Sequence, residues 1–247
     1  KKNILKTMAV YFNSRIINYY LFLSISSYGI ERDQIMKNEY LDIPFFPLEQ
    51  NEIDSIVSQS DKLINDKKNN ILQNTSSLRE STEEVFIKKM KISTYEKYFI
   101  EDAIKFNVDL FHNGMNSIAL KNIDLKETKK YARILCKFVE DYLDSNVKLN
   151  AKVYDIAKNF PLNLVVLKFS KVSEQILEGE SNEIKSSLKY LDNVTFSREA
   201  KSIYIKRNIK YYEGDTIYII KPNQKRFWSR SSAIIDAKEL IGDILKM

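Results

Sequence analysis

"SIYIKRNIKYYEGDTIYIIKPNQKRFWSRSS", residues 202–232, is the stretch that decides the fold. Two runs of alternating β-forming residues flank Glu213-Gly214-Asp215, a short glycine-bearing link that predicts a β-hairpin. Side chains alternate between the two faces of a strand. The first strand therefore presents two sets of residues, Ile203, Ile205 and Ile209 on one face and Tyr204, Lys206, Lys210 and Tyr212 on the other. A loop with the single tryptophan, Trp228, follows this ribbon.

Two further strands are predicted upstream of the hairpin. Val147, Leu149, Ala151 and Val153 alternate with polar residues, and "LNLVVLKF" follows Pro161. A short helix at about 182–192 leads from these strands to the hairpin, and residues 233–246 form a closing helix.

The first half of the chain has helical periodicity instead. Residues 3–23 and 49–70 carry apolar residues at three- and four-residue steps. Ser81-x-x-Glu84 and Ser93-x-x-Glu96 fit capping boxes, and Asp124-x-x-Glu127 predicts another helix start. The fold class is therefore α+β, with a helical N-terminal half followed by a small antiparallel sheet flanked by helices. The polar connector "NNILQNTSS" predicts a boundary between residues 1–72 and an α+β domain at 73–247.

Composition favours a folded cytoplasmic protein. The 247 residues are 44% hydrophobic, and Cys136 is the single cysteine, which excludes an internal disulfide. The longest apolar run, around "IINYYLFLSIS", is too short and too polar for a membrane span.

The positive charge is concentrated near the C-terminus. Residues 201–230 hold eight basic and two acidic residues, whereas the rest of the chain has 31 of each, so the net charge of +6 comes from this window. A basic excess beside aromatic residues is typical of a surface that faces phosphates. The alternative is a solvated face of a lysine-rich protein.

Motifs for self-contained chemistry are missing from the sequence. It has no glycine-rich phosphate loop and no cysteine–histidine cluster, so we predict no catalytic residue, no cofactor site and no metal site. The single histidine, His112, precedes Asn113-Gly114 at a predicted helix end, where a structural role is expected.

Three segments resemble a known family. The first contains Phe12-Asn13-Ser14, Tyr19-Tyr20, "SSYGIER" at residues 26–32 and Ile43-Pro44-Phe45. The second is "YFIEDAIKFNVDLFHNG" at 98–114, and the third is "KPNQKRFWSRS" at 221–231. Together they resemble the C-terminal region of bacterial adenine-N6 DNA methyltransferases, including restriction–modification enzymes. Tyr28 stands where that family is expected to have tryptophan.

The resemblance implies a target-recognition module that binds double-stranded DNA and lacks the catalytic half. The family's Asn-Pro-Pro-aromatic motif and its glycine-rich turn for S-adenosylmethionine do not occur here. Since the chain begins at Lys1 without methionine, we expect a C-terminal fragment whose S-adenosylmethionine-binding methyltransferase domain lies upstream. The predicted phosphate-contacting residues are Lys206, Arg207, Lys210, Lys221, Lys225, Arg226 and Arg230, with Arg32 as a further candidate. Asn223 and Gln224 are the candidates for reading base edges, and Trp228 is a candidate contact.

The sequence leaves several alternatives open. Trp228 either fills a local core, with arginines against its faces, or contacts DNA. Glu31 and Arg32 either pair with each other or contribute to the interface. The chain is alternatively a protein–protein module of a restriction or phage-defence complex with an incidental basic patch, or an enzyme whose site the motifs do not reveal.

Overall fold

The computed structural model describes residues 1–25, 35–69, 75–143, 148–155, 160–170, 176–180 and 208–246. The chain forms two compact units, Lys1–His112 and Asn113–Met247. The predicted boundary near residue 72 falls inside the first unit, because the helices on either side of it pack against each other. Within the described ranges, none of the helices is both long and apolar enough to cross a bilayer.

The first unit is helical. Its elements are α1 (Lys2–Phe12), α2 (Arg15–Ser24), α3 (Lys37–Leu41), α4 (Gln50–Lys68), α5 (Thr75–Lys89), α6 (Thr94–Asp102), a π-helical segment (Ala103–Val108) and α7 (Asp109–Asn113). Apolar side chains from α1, α2, α4, α5 and α6 meet in one core, which includes Tyr11, Ile17, Leu21, Ile56 and Phe86. The predicted helical half of the protein is thus confirmed.

The predicted helix over residues 3–23 is interrupted at Asn13-Ser14. The Ser14 hydroxyl accepts a hydrogen bond from the Ile17 amide at 3.3 Å, so Ser14 caps the start of α2. Glu83 accepts two more hydrogen bonds, from the Arg15 backbone amide and from Arg15 Nε, each at 2.6 Å. A new helix begins here because both partners satisfy amides that a helix start leaves unpaired.

Two of the three predicted capping motifs are confirmed. Ser93 Oγ accepts from the Glu96 amide while Glu96 accepts from the Ser93 amide, and Asp124 accepts from the Glu127 amide at 2.8 Å. The helix start at Ser81 is wrong, because α5 is already helical from Thr75. Ser81 instead donates to the Gln59 side chain of α4 at 2.7 Å.

Tyr11 gives the protein a testable pH dependence. Its ring is 1% exposed, and burial, with a smaller contribution from Tyr20, raises its pKa to about 12. The native state therefore keeps a proton that the unfolded chain releases above about pH 10, so stability falls as the pH rises through that range. Between about pH 9 and pH 11, the free energy of unfolding should therefore decrease by about 1 kcal/mol less in Tyr11→Phe than in the wild type. Urea denaturation followed by circular dichroism measures this difference, and equal losses would contradict it.

In the part of the second unit that the structure describes, the chain forms a five-stranded sheet and several helices. The elements are two 3-10 turns (Gly114–Asn116 and Ile118–Leu120), α8 (Leu125–Tyr142), β1 (Lys148–Tyr154), β2 (Leu162–Ser170), β3 (Ile176–Gly179), β4 (Ile209–Glu213), β5 (Thr216–Pro222), a third 3-10 turn (Lys225–Trp228) and α9 (Arg230–Ile244). The strand order is β3-β1-β2-β5-β4, antiparallel except for the β1–β3 pair. This confirms the α+β class, while the helix predicted at 182–192 lies outside the described residues.

The β4–β5 hairpin forms at the predicted position, with a turn one residue shorter than the predicted link, while residues 202–207 of the predicted first strand lie outside the described residues. Glu213 pairs with Thr216, which leaves Gly214 and Asp215 as the two-residue turn. Gly214 has φ +56°, a left-handed conformation that glycine adopts without steric cost. The glycine therefore fixes the position of the turn and, with it, the register of the ribbon.

Helices α8 and α9 cover one face of the sheet. The core between them includes Leu135, Val139, Leu167, Ile219 and Leu240, each 1% exposed or less. A smaller cluster around Tyr154, Leu164 and Ile220 occupies the opposite face and includes Ile209 and Tyr211 of β4.

The tyrosine and lysine face of the hairpin lies on the helical side of the sheet. Tyr212 packs against the α8–α9 core and donates to Asp243 of α9 at 2.6 Å. Lys210 forms an ion pair with Glu239 of the same helix. The alternation of residues is thus as predicted. At Lys210 and Tyr212, however, the closing helix α9 covers the face, which is not open to solvent as expected.

Candidate nucleic-acid interface

Lys221, the first residue of the "KPNQKRFW" motif, is buried. It lies on β5 with only 4% of its surface exposed. Its ammonium group forms an ion pair with Asp236 of α9 and donates to the Phe227 carbonyl at 3.1 Å. Burial lowers the pKa of Lys221, while the neighbouring Asp236 carboxylate acts in the opposite direction. Lys221 therefore links β5 to α9, and its ammonium group is not exposed to contact a phosphate in this structure.

Asp236 is the centre of this buried cluster. One carboxylate oxygen accepts from the Tyr131 hydroxyl at 2.5 Å as well as from Lys221, and the other accepts from Asn208 at 2.8 Å. Lys210 Nζ lies 3.7 Å from the second oxygen. Burial, followed by the Asp236 charge, raises the pKa of Tyr131, so this hydroxyl stays protonated as a donor. Asp236 thus joins α8, β4, β5 and α9 in one network.

Trp228 completes the cluster from the 3-10 turn. Its indole is 2% exposed and meets Tyr131 edge to face, with 4.9 Å between ring centroids. Its Nε1 donates to the Pro222 carbonyl at 2.9 Å. The Lys221 ammonium lies 5.6 Å from the indole centroid, so the cation beside the ring is an internal one. Trp228 is a core residue and not an exposed platform for a base.

Asn223 is also occupied within the fold. It is 3% exposed, its side chain donates to the Phe160 carbonyl at 3.0 Å, and it accepts from the Ile123 amide at 3.3 Å. A side chain held in this way is not exposed to read a base edge in this structure.

The other predicted contacts in the described region are only partly buried. Lys225 forms an ion pair with Glu127, with 2.8 Å between Nζ and Oε2. Arg226 lies over the Phe227 ring at 4.6 Å and donates to Gln224 at 3.0 Å. Arg230 is the first residue of α9 and is partly exposed. Arg32, Lys206 and Arg207 lie outside the described residues.

The charge of the protein divides unequally between the two units. Residues 113–247 carry 24 basic and 17 acidic side chains, a formal charge of +7, whereas residues 1–112 carry 15 and 16, a charge of −1. Of this charge, +6 comes from residues 201–230, and the rest of the second unit, with 16 basic and 15 acidic side chains, contributes +1. Within that unit, Asp236, Glu239 and Glu127 pair with lysines of the 201–230 window.

Sequence reasoning missed a group of basic side chains on α8. Its exposed face carries Lys126, Lys130, Arg133 and Lys137. Counting basic and acidic residues along the sequence did not reveal them, because α8 also contains Glu127, Glu140 and Asp141. The signal that reveals them is the spacing of four, three and four residues, which places all four on one side of a helix.

The first family-like segment lines a cleft in the first unit. Asn13, Ser14 and Arg15 form part of the wall of this cleft, whose volume is about 940 Å³. Arg15 pairs with Glu83 and lies 3.8 Å from Glu101. These contacts order the junction between α1 and α2. In the described part of the chain, no group of three or more potential metal ligands is found.

Comparison of the chain with protein-family models, with curated proteins and with solved structures gave no match.

Proposed function

We propose that this protein is the DNA-contacting, target-recognition region of an adenine-N6 DNA methyltransferase or fused restriction–modification enzyme. The observation that carries the proposal is the formal charge of +7 on a compact α+β unit that also holds the "KPNQKRFWSRS" segment. A basic surface of this kind supplies the sequence-independent part of duplex binding. The family resemblance of the three segments points in the same direction.

The physical role of such a module is to hold a distorted duplex. Methylation of a base inside a duplex requires that the base be flipped out of the stack. A neighbouring module stabilises that state by contacting phosphates and flanking base edges. In the proposed function the present chain supplies these contacts in the cytoplasm, and a separate S-adenosylmethionine-dependent domain supplies the methyl transfer.

The first test is a salt titration of duplex binding. We expect the chain to bind a duplex of about 20 bp at low salt, with an affinity that falls steeply between about 50 and 200 mM salt. Arg226→Ala combined with Arg230→Ala should reduce the slope of log K against log salt by about 2, since each lost phosphate contact contributes about 0.9. Fluorescence anisotropy with a labelled duplex measures both quantities.

A matched pair of exposed lysines on α4, Lys67 and Lys68, provides the control. Their replacement by alanine removes the same charge from the first unit and should leave the slope close to that of the wild type. The absence of duplex binding at low salt would contradict the proposed function. Methyl transfer to DNA by this chain alone, in the presence of S-adenosylmethionine, would contradict its catalytically silent role.

A protein-docking function is the second candidate, and exposed apolar residues in the first unit favour it. Leu41 is 73% exposed, and Met36, Tyr40, Phe45 and Phe46 are each at least 38% exposed. The near-neutral charge of that unit suits a protein partner better than a polyanion. Under this alternative, duplex binding is absent and the Arg226→Ala, Arg230→Ala double variant behaves like the wild type.

A further inference from the structure

The outer face of α8 carries a narrow stripe of positive charge. Lys126, Lys130, Arg133 and Lys137 are all exposed. At 100° per residue they fall within an arc of about 60°, and at 1.5 Å per residue they extend along about 16 Å of the helix. The opposite side of the helix is anchored in the core through Tyr131, Leu135 and Val139. The stripe is therefore held in one orientation on a rigid element.

The acids of α8 do not neutralise this stripe. Glu127 pairs with Lys225, and Glu140 accepts from the Leu149 amide at 2.7 Å and lies 3.6 Å from Lys148. Asp141 follows Lys137 by one turn, at the end of the stripe. None of the four stripe cations forms an ion pair with any carboxylate that the structure describes.

The arrangement differs from that of an ordinary solvated helix. Stable exposed helices alternate acids and bases at three- and four-residue steps, because opposite charges attract at that spacing. Here the charged neighbours of Arg133 at these steps are all cations, namely Lys129, Lys130 and Lys137, an arrangement that destabilises an isolated helix. Acids occupy such steps only towards the ends of the stripe, where Glu127 precedes Lys130 and both Glu140 and Asp141 follow Lys137. A partner of opposite charge would remove this repulsion.

We propose that the stripe on α8 is a phosphate-contacting surface that lies along the backbone of duplex DNA. This inference rests on the proposed function and names the surface that performs it. A length of about 16 Å corresponds to about five base pairs along the duplex axis. The stripe adjoins the tryptophan loop, because Lys225 contacts Glu127 in the first turn of α8 and its amide donates to the Lys121 carbonyl at 2.9 Å.

An anionic membrane is the other large polyanionic surface, and α8 is less suited to it. Helices that bind membranes insert an apolar face into the lipid beside their basic residues. The apolar face of α8 is already used against the sheet, with Ala132, Leu135 and Cys136 fully buried. A helix that offers only cations matches the backbone of a nucleic acid better.

The test replaces all four cations by glutamine, which has a similar helix propensity. In the full chain, K126Q/K130Q/R133Q/K137Q should reduce the salt slope for a duplex of about 20 bp by about 3 to 4, and should weaken binding at least about tenfold at about 50 mM salt. The matched control is K62Q/K67Q/K68Q/K88Q, which removes four exposed lysines from the first unit. It should retain the slope of the wild type. Circular dichroism and thermal unfolding establish that both variants are folded.

Each other outcome contradicts the inference in a distinguishable way. If the wild type binds the duplex and the α8 variant has the same slope, the stripe is not the contact surface, although the proposed function stands. An equal loss in the control would assign the effect to net charge alone. If the wild type does not bind the duplex, both proposals fail. Stripe-dependent binding to phosphatidylserine vesicles without duplex binding would replace DNA by a membrane as the partner.

Discussion

Asp236→Ala is expected to destabilise the second unit by about 3–5 kcal/mol. Asp236 is 1% exposed and is the ion-pair partner of Lys221, which is 4% exposed. Removing the carboxylate leaves an ammonium group inside the core without its counter-charge, and it also leaves the Tyr131 hydroxyl without its acceptor. Urea denaturation followed by the fluorescence of the single tryptophan measures the change, because Trp228 lies in the same cluster.

A double variant separates loss of the ion pair from loss of packing. Lys221→Met with Asp236→Leu removes both charges and keeps much of the buried volume, and such exchanges are often close to neutral in stability. The double variant should therefore be more stable than Asp236→Ala. The single variants Lys221→Met and Asp236→Leu complete a double-mutant cycle. If the effects of the two single substitutions simply add, the ion pair does not couple β5 to α9 as the geometry indicates.

Local patterns in the sequence predicted the hairpin and missed the environment of its faces. The alternation in "NIKYYEGDTIYII" places Lys210 and Tyr212 on one side, and the structure has them there. Which side is covered depends on Asp236, Glu239 and Asp243, which belong to a helix that comes after the hairpin. The alternation of side chains along a strand does not show which face a later helix will cover. The sequence pattern therefore did not predict that α9 covers the face with Lys210 and Tyr212.

The acidic partners of the lysines in the 201–230 window were not predictable for a related physical reason. A local surplus of lysine indicates a basic surface only if acids from distant segments do not approach it. Glu127, which is far from the window in sequence, forms an ion pair with Lys225. In the same way, Asn223 accepts a hydrogen bond from the amide of Ile123, 100 residues earlier. Similarly, α1 and α2 separate where Glu83 contacts Arg15, 68 residues earlier. Capping motifs at Ser93 and Asp124 were predictable because all of their partners lie within three residues.

Trp228→Ala, made alone in the wild-type chain, is expected to lower the free energy of unfolding by about 3–5 kcal/mol, the usual range for removing a large buried aromatic side chain. The substitution removes the edge-to-face contact with Tyr131 and opens a cavity beside Lys221. It also leaves the Pro222 carbonyl without the indole donor. Circular dichroism during urea denaturation measures the loss, since the fluorescent reporter itself is removed.

Trp228→Phe distinguishes the contribution of the ring from that of the indole N–H. Phenylalanine retains much of the apolar contact but cannot donate to Pro222, so we expect it to cost about 1–2 kcal/mol through one hydrogen bond and a small change in volume. The DNA affinity of this variant is equally informative. A residue that is 2% exposed cannot stack on a base, so binding should be retained while stability falls. Loss of binding in a variant with wild-type stability would show that Trp228 contacts the duplex after a local rearrangement and that its buried position is not its working one.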